Sequence, residues 1–308
     1  MVISLSKKSI SNLLRVLVTG GSGFIGSKLV ERLVSRGYSV TCLLRSDNSK
    51  NQKVNVVKGD LCLPNFLFSD QYDVGYHLAA VWPGEKDKKI QRTVNYDGTV
   101  NLFSAIKDKT KSFVYVSGLG IFGDPKDKVI DETSSLNPNT EYAKTRLEAQ
   151  KFLTEKCEQN GIAFSVVYLG DVYGNGGWFK SMVIDRLKKG SFRIPGSGKY
   201  YRSFVHVDDV VSALVSIAEK KVVNESFIIT DSNPVMFSEF VSFLSSKLGV
   251  KMPGTLPIIL AKAVLGSDFV NLLTTSIKTS NSKISRICNF EYPSYQDGIA
   301  ATLSEIKL

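Results

Sequence analysis

Residues 16–33 read VLVTGGSGFIGSKLVERL. The segment opens on a β-branched apolar run, breaks into glycines at Gly20, Gly23 and Gly26, and continues with apolar residues at helical spacing. A strand that passes through Gly-x-x-Gly-x-x-Gly into a helix forms a phosphate cradle. The first glycine permits the tight turn, the second lets backbone approach a pyrophosphate, and the third lets helix and strand pack closely. The helix N-terminus, with Phe24 and Ile25 in its first turn, adds free N–H groups and the positive end of the helix dipole. A glycine triplet alone also fits an ordinary turn. The strand before it, the helix after it and a second strand ending about 20 residues on make the dinucleotide reading the stronger one.

Outward from this segment the same rhythm continues. Strands are expected over 15–20, 38–45, 54–60, 73–80, 112–118 and 162–170, with helices over 24–37 and 90–108. Nearly all-apolar strands alternating with helices predict an α/β fold, a Rossmann-type doubly wound parallel sheet covered on both faces. After residue 170 the rhythm breaks. Gly and Pro become frequent over 174–198, 204–220 reads as a short strand and a helix, and the tail is mostly helical. The expected organisation is a leader (1–14), a dinucleotide-binding domain (15–170), and a smaller, partly interleaved substrate-binding region (171–308) over the sheet's carboxyl edge.

Composition narrows the class. The chain has 308 residues, 43% of them hydrophobic, enough for a large core. It contains no run of about 18 apolar residues, so no membrane span is expected. The opening MVISLSKKSISNLL is too short and too polar for a secretory signal. Four scattered cysteines and two histidines show no metal spacing; no metal is expected, and reduced thiols point to the cytoplasm. The net charge is +10, but the lysines are dispersed and form no basic tract interleaved with aromatics. A solvated basic surface is expected, with a small-molecule substrate and no nucleic-acid partner.

The end of the second strand, LLRSD (43–47), selects the cofactor. A carboxylate there binds the ribose 2′-hydroxyl of NAD, whereas arginine accommodates the 2′-phosphate of NADP. Arg45 favours NADP, with Ser46 as an extra donor; NAD remains the alternative, with Asp47 on the ribose.

The chain resembles the extended short-chain dehydrogenase/reductase superfamily, the NAD-dependent epimerase/dehydratase family, from about residue 15 to the C-terminus. The resemblance rests on TGGSGFIG (19–26), GDL (59–61), HLAA (77–80), VNYDGT (94–99), VYVSG (114–118), EYAKTR (141–146), VYGNG (172–176) and RSFVHVDD (202–209). It implies Asp60 and Leu61 at the adenine end, Leu78, Ala79 and Ala80 along the middle of the cofactor, and Tyr142, Arg146 and Leu169 toward the nicotinamide. It also implies a homodimer through the tyrosine-bearing helix.

In that family a hydroxyl polarises the substrate oxygen, a tyrosine transfers the proton, and a lysine four residues on supports the tyrosine. Here the lysine position is Arg146. Lys144 lies about 200° around the helix from Tyr142 and faces away. Arginine supplies a fixed positive charge but no proton relay, since its pKa stays above about 12. The hydroxyl position falls on Gly118, with Ser117 one residue early; strand alternation turns Ser117 to the other face unless the strand end bends. Leu119 and Gly120 stand where dehydratases carry Asp-Glu, which disfavours a dehydratase. Arg202 matches an arginine that grips substrate phosphates in the sugar-nucleotide branch, whereas the apolar segment 254–266 resembles hydroxysteroid and flavonol reductases. His206 is read as structural. The expected activity is hydride transfer at a secondary alcohol or ketone, with Tyr142 as acid/base, Arg146 as its support and Ser117 as a candidate hydroxyl. A cofactor-binding protein with little turnover is the alternative.

Overall fold

The computed structural model describes residues 14–46, 53–126 and 128–306. Asp47 and all of the leader except Leu14 lie outside the described residues. Seven strands form one parallel sheet: β1 (Arg15–Thr19), β2 (Ser39–Leu44), β3 (Asn55–Lys58), β4 (Val74–His77), β5 (Ser112–Gly118), β6 (Ala163–Leu169) and β7 (Ser226–Ile229). The spatial order is β3-β2-β1-β4-β5-β6-β7. The order reverses between β1 and β4, which pair in parallel, and in such sheets ligands bind beyond the strand carboxyl ends at that switch.

Alternation along the strands builds a core on each face. Val16, Val18, Val114 and Val116 pack with Leu29 and Leu33 of α1 (Phe24–Ser35). Leu17, Phe113 and Tyr115 face the opposite way, toward Leu102 of α2 (Gly98–Ile106) and Ala143 and Leu153 of α3 (Glu141–Gln159). Each fully buried Val, Leu or Phe contributes about 1.5–3 kcal/mol relative to exposure, so neither face tolerates a one-residue slip.

The helix expected over 90–108 is interrupted. Lys88–Arg92 leads through a π-helical turn, Thr93–Asp97, into α2. The extra residue in that turn aims Asn95, fully buried, at the site.

The C-terminal half is interleaved with the sheet. It supplies β7 as an edge strand and α4 (Val207–Glu219), whose Val210 and Leu214 join the core on the α1 face. His206 accepts the Asp208 N–H at 3.3 Å and thereby caps α4. A separate aromatic core of Tyr173, Phe179, Phe204 and Phe240 holds the remainder, with α5 (Phe237–Lys247), α6 (Ile258–Leu265), α7 (Ser267–Thr274) and α8 (Tyr295–Glu305). Among the described residues no helix is long and apolar enough to cross a membrane. None of their groupings of His, Cys, Asp and Glu could hold a metal ion.

Candidate active site

The glycine turn is built to the limit of contact. Gly20 has φ +74°, and a Cβ on it would lie 2.8 Å from the Ala79 nitrogen; one on Gly26 would lie 2.1 Å from the Gly20 carbonyl oxygen. Gly23 N–H donates to that same oxygen at 2.9 Å and closes the turn. Gly23 caps α1 with no side-chain hydrogen bond, so the N–H groups of the first helical turn remain available to a ligand. The residues present fit a dinucleotide pyrophosphate. Arg45 is exposed just past the end of β2. Beside it, Gly59 N–H donates to the Leu44 carbonyl, and Asp60 follows, with one carboxylate oxygen accepting the Cys62 N–H at 2.9 Å. Leu61 is buried against Gly98.

The loop after β4 is fixed by a chain of buried hydrogen bonds. Thr99 Oγ1 donates to the Asn95 carbonyl at 2.6 Å, so it accepts from His77 Nε2 at 2.9 Å. His77 Nδ1 then accepts from Thr19 Oγ1 at 2.7 Å. This assigns the Nε2–H tautomer from the network. Burial and the Arg146 charge hold His77 far below the usual histidine range, at about 3. Asn95 accepts the Val81 N–H at 3.0 Å and donates to Thr145 Oγ1 at 3.1 Å, joining the Leu78–Val81 loop to α3.

Helix α3 carries Tyr142 and Arg146. Thr140 caps it by accepting the Ala143 N–H, and Asp268 of α7 accepts the Glu141 N–H at 2.9 Å. Arg146 is 2% exposed. Its guanidinium lies 4.4 Å above the Tyr115 ring, whose hydroxyl donates to the Arg146 carbonyl, and Arg146 Nη2 donates to the Val116 carbonyl. Arg146 Nη1 is buried without a protein partner. Tyr142 is half-buried and lines the same cavity. Burial raises its pKa above the ordinary phenol value, against the lowering pull of Arg146. In the absence of ligand, desolvation and the Arg146 charge act on this phenol in opposite directions, and desolvation is the larger.

The expectation for Ser117 is corrected. Val116 and Gly118 line the cavity and Ser117 does not. Its hydroxyl is buried without a partner, on the face of β5 that carries Phe113 and Tyr115 under α3. The strand end does not bend enough to undo the alternation: Gly118 stays extended at φ −146°, ψ 166°. A Cβ at Gly118 would find only the Leu169 carbonyl, at 3.8 Å.

The cavity measures about 690 Å³ and brings together Gly20, Gly23, Phe24, Ile25, Gly26, Leu78, Ala80, Tyr142, Arg146 and Leu169. Ala79, Arg45, Asp60 and Leu61 are not on its wall, although Ala79 abuts the Gly20 turn. Arg202 reaches the wall but is engaged inside the protein. Its Nε and Nη2 donate to the two Asp171 carboxylate oxygens at 2.6 and 2.7 Å, and its Nη1 donates to the carbonyls of Leu272, Leu273 and Thr275. The sequence reading missed Asp171, Trp82 and Phe269; the two rings meet with centroids 4.9 Å apart, from segments almost two hundred residues apart. The one available signal was a tryptophan after HLAA, a large apolar residue in a loop at the sheet's carboxyl edge.

A model of the NAD dependent epimerase/dehydratase family matches residues 16–230. The chain is 28% identical over 265 residues, 81% of its length and 78% of the relative's, to a 4-hydroxy-2-methyl-3-oxo-4-farnesyl-3,4-dihydroquinoline-1-oxide ketoreductase of Stigmatella aurantiaca. It superposes on the UDP-glucose 4-epimerase of Thermus thermophilus in complex with NAD with a TM-score of 0.82 at 22% identity, covering 96% of this chain and 99% of that one. It superposes on the human epimerase family protein SDR39U1 with NADPH at a TM-score of 0.80 and 20% identity, covering 94% and 99%. These likenesses to solved structures show the fold.

Proposed function

This chain belongs to the NAD dependent epimerase/dehydratase family, enzymes of the extended short-chain dehydrogenase/reductase type, and on that premise we propose that it reduces a ketone to a secondary alcohol with Tyr142 as the acid. One observation carries the reading: the glycine turn, Tyr142 and Arg146 converge on one cavity. NADP is the preferred cofactor, on the strength of exposed Arg45 past β2, and NAD the alternative. One relative is a ketoreductase of a farnesylated dihydroquinoline-1-oxide, and one structural neighbour is a UDP-glucose 4-epimerase with UDP-glucose, so the substrate class is argued from this chain's own cavity below.

When bound, the reduced dinucleotide supplies the hydride to the carbonyl carbon. Tyr142 donates its proton to the carbonyl oxygen as charge develops there. The Arg146 cation on the same helical face stabilises the phenolate left behind, and its free Nη1 offers a donor to the cofactor ribose or to the substrate oxygen. Arg146 cannot return the proton, so reprotonation comes from water entering the cavity.

A second reading, a dinucleotide-binding protein with little turnover, draws on Gly118, which leaves the cavity without a strand-end hydroxyl. Tyr142→Phe separates the two. The enzyme reading expects ketone-dependent NADPH oxidation to fall by about 10²- to 10⁴-fold, the range for a lost general acid, with NADPH affinity kept. Turnover equal to that of the parent chain would reject Tyr142 as the acid.

A further inference from the structure

We propose that the chamber beyond Tyr142 takes an uncharged, apolar carbonyl compound with an aryl or polycyclic body, and not a nucleotide diphosphate. The inference rests on the reading of Tyr142 as the proton donor and adds the substrate class. Its first support is Arg202, the cation that the sequence suggested for substrate phosphates. Four of its five N–H groups are engaged: two on Asp171 and two shared among the carbonyls at the end of α7. Arg202 is 6% exposed, and turning it toward a diphosphate would leave the Asp171 carboxylate without its bidentate partner.

What Arg202 holds in place is an apolar wall. Helix α7 is fixed at its start by Asp268 on the Glu141 N–H and at its end by Arg202, and between these anchors it presents Phe269, Leu272 and Leu273 to the cavity. Leu272 presses on Gly120: a Cβ there would lie 2.6 Å from Leu272 Cδ1, so the second of the two positions where dehydratases carry paired carboxylates is closed by a leucine. Two further polar tips on the wall point into backbone. Tyr200 Oη donates to the Pro195 carbonyl at 3.2 Å and Trp178 Nε1 to the Val172 carbonyl at 2.8 Å. Their rings, not their donors, face the ligand space.

The lip carries exposed apolar side chains. Val264, 66% exposed, and Trp82, 48% exposed, both line the cavity, and Lys86 Nζ donates to the Val264 carbonyl at 3.2 Å. Arg186 and Arg193 also line the cavity; both are exposed, and Arg193 Nη1 donates to the Gly190 and Phe192 carbonyls. Tyr142 and Arg146, four residues apart on α3, both line the cavity and mark its reacting end. One carbonyl oxygen at that end and an apolar body elsewhere match this distribution.

Both tryptophans of the chain, Trp82 and Trp178, line the cavity, so intrinsic fluorescence reports its occupancy. The full chain, with and without NADPH, is titrated with 4-phenyl-2-butanone, 2-tetralone, UDP and UDP-glucose. Both ketones are expected to quench saturably, with Kd at least about tenfold below that of UDP-glucose. Val264→Asp, at an exposed position, is expected to raise the ketone Kd by about tenfold while leaving NADPH affinity unchanged, a carboxylate at the lip being the unfavourable neighbour. Equal or reversed affinities for UDP-glucose, or a ketone Kd indifferent to Val264→Asp, overturn the proposal. Because the ranking is read without turnover, it fails or stands separately from Tyr142→Phe, which tests the underlying reading.

Discussion

Gly118→Ser places a hydroxyl where the cavity has none. The structure sets the steric cost near zero: the backbone at 118 is extended, and a Cβ would meet only the Leu169 carbonyl, at 3.8 Å. Replacing glycine at a compatible backbone position restricts the unfolded chain and adds about 0.4–1 kcal/mol of stability. An oxyanion donor in a mature site is worth about 10²- to 10³-fold in kcat. A grafted serine lacks neighbours that fix its rotamer, so about tenfold is expected, or roughly 1.4 kcal/mol off the barrier. The assay is kcat for aryl-ketone reduction, followed by loss of NADPH absorbance, with melting temperature and NADPH Kd measured on the same protein. Gly118→Ala carries the same Cβ without the oxygen and is expected to gain nothing in kcat. A Gly118→Ser kcat equal to or below that of the parent, with stability and cofactor affinity intact, would refute the reasoning. The substrate oxygen would then already have its donor, with Arg146, which lines the same cavity, the residue to test next.

The remaining expectations are quickly stated. Because burial raises Tyr142 above the ordinary phenol value of about 10, ketone reduction should be flat across neutral pH and fall only above about 10, while alcohol oxidation rises with pH; a reduction rate that halves between about pH 7 and 9 contradicts the protonated phenol. Stability should have an optimum in mildly acidic solution. Burial pushes Asp231 up to about 8 and Asp209 to about 6, so their contributions are whole below the ordinary carboxyl range and are lost as pH rises through those values. His77, held down at about 3, works the other way: its contribution is present above the ordinary histidine value and is lost as pH falls through about 3. Asp231→Asn should therefore flatten the fall in melting temperature between about pH 6 and 9, and an unchanged slope in that variant would reject the assignment. Arg45→Ala should weaken NADPH by about tenfold and NADH by less than about threefold in equilibrium titration; equal losses would reject the 2′-phosphate role.

Sequence alone determined the doubly wound sheet, the phosphate turn and the helix bearing Tyr142 and Arg146. These features are encoded locally: strands and helices announce themselves by periodicity, Gly20 and Gly26 by contacts only glycine tolerates, and the tyrosine and arginine share a face because they are four residues apart. Alternation along β5 also anticipated that Ser117 would turn away, and only the observed course of the strand end removed the exception. Tertiary structure decided the rest. Arg202 looked like a free cation because its partners, Asp171 and the carbonyls of 272–275, are 31 to 73 residues distant. Spacing shows the arginine beside Tyr142, but the desolvation that works against it comes from burial, which spacing does not show. Whether a charge grips a ligand or a wall, and whether desolvation outweighs a cation, depends on which distant groups fill the space around it, and short-range spacing carries no record of that.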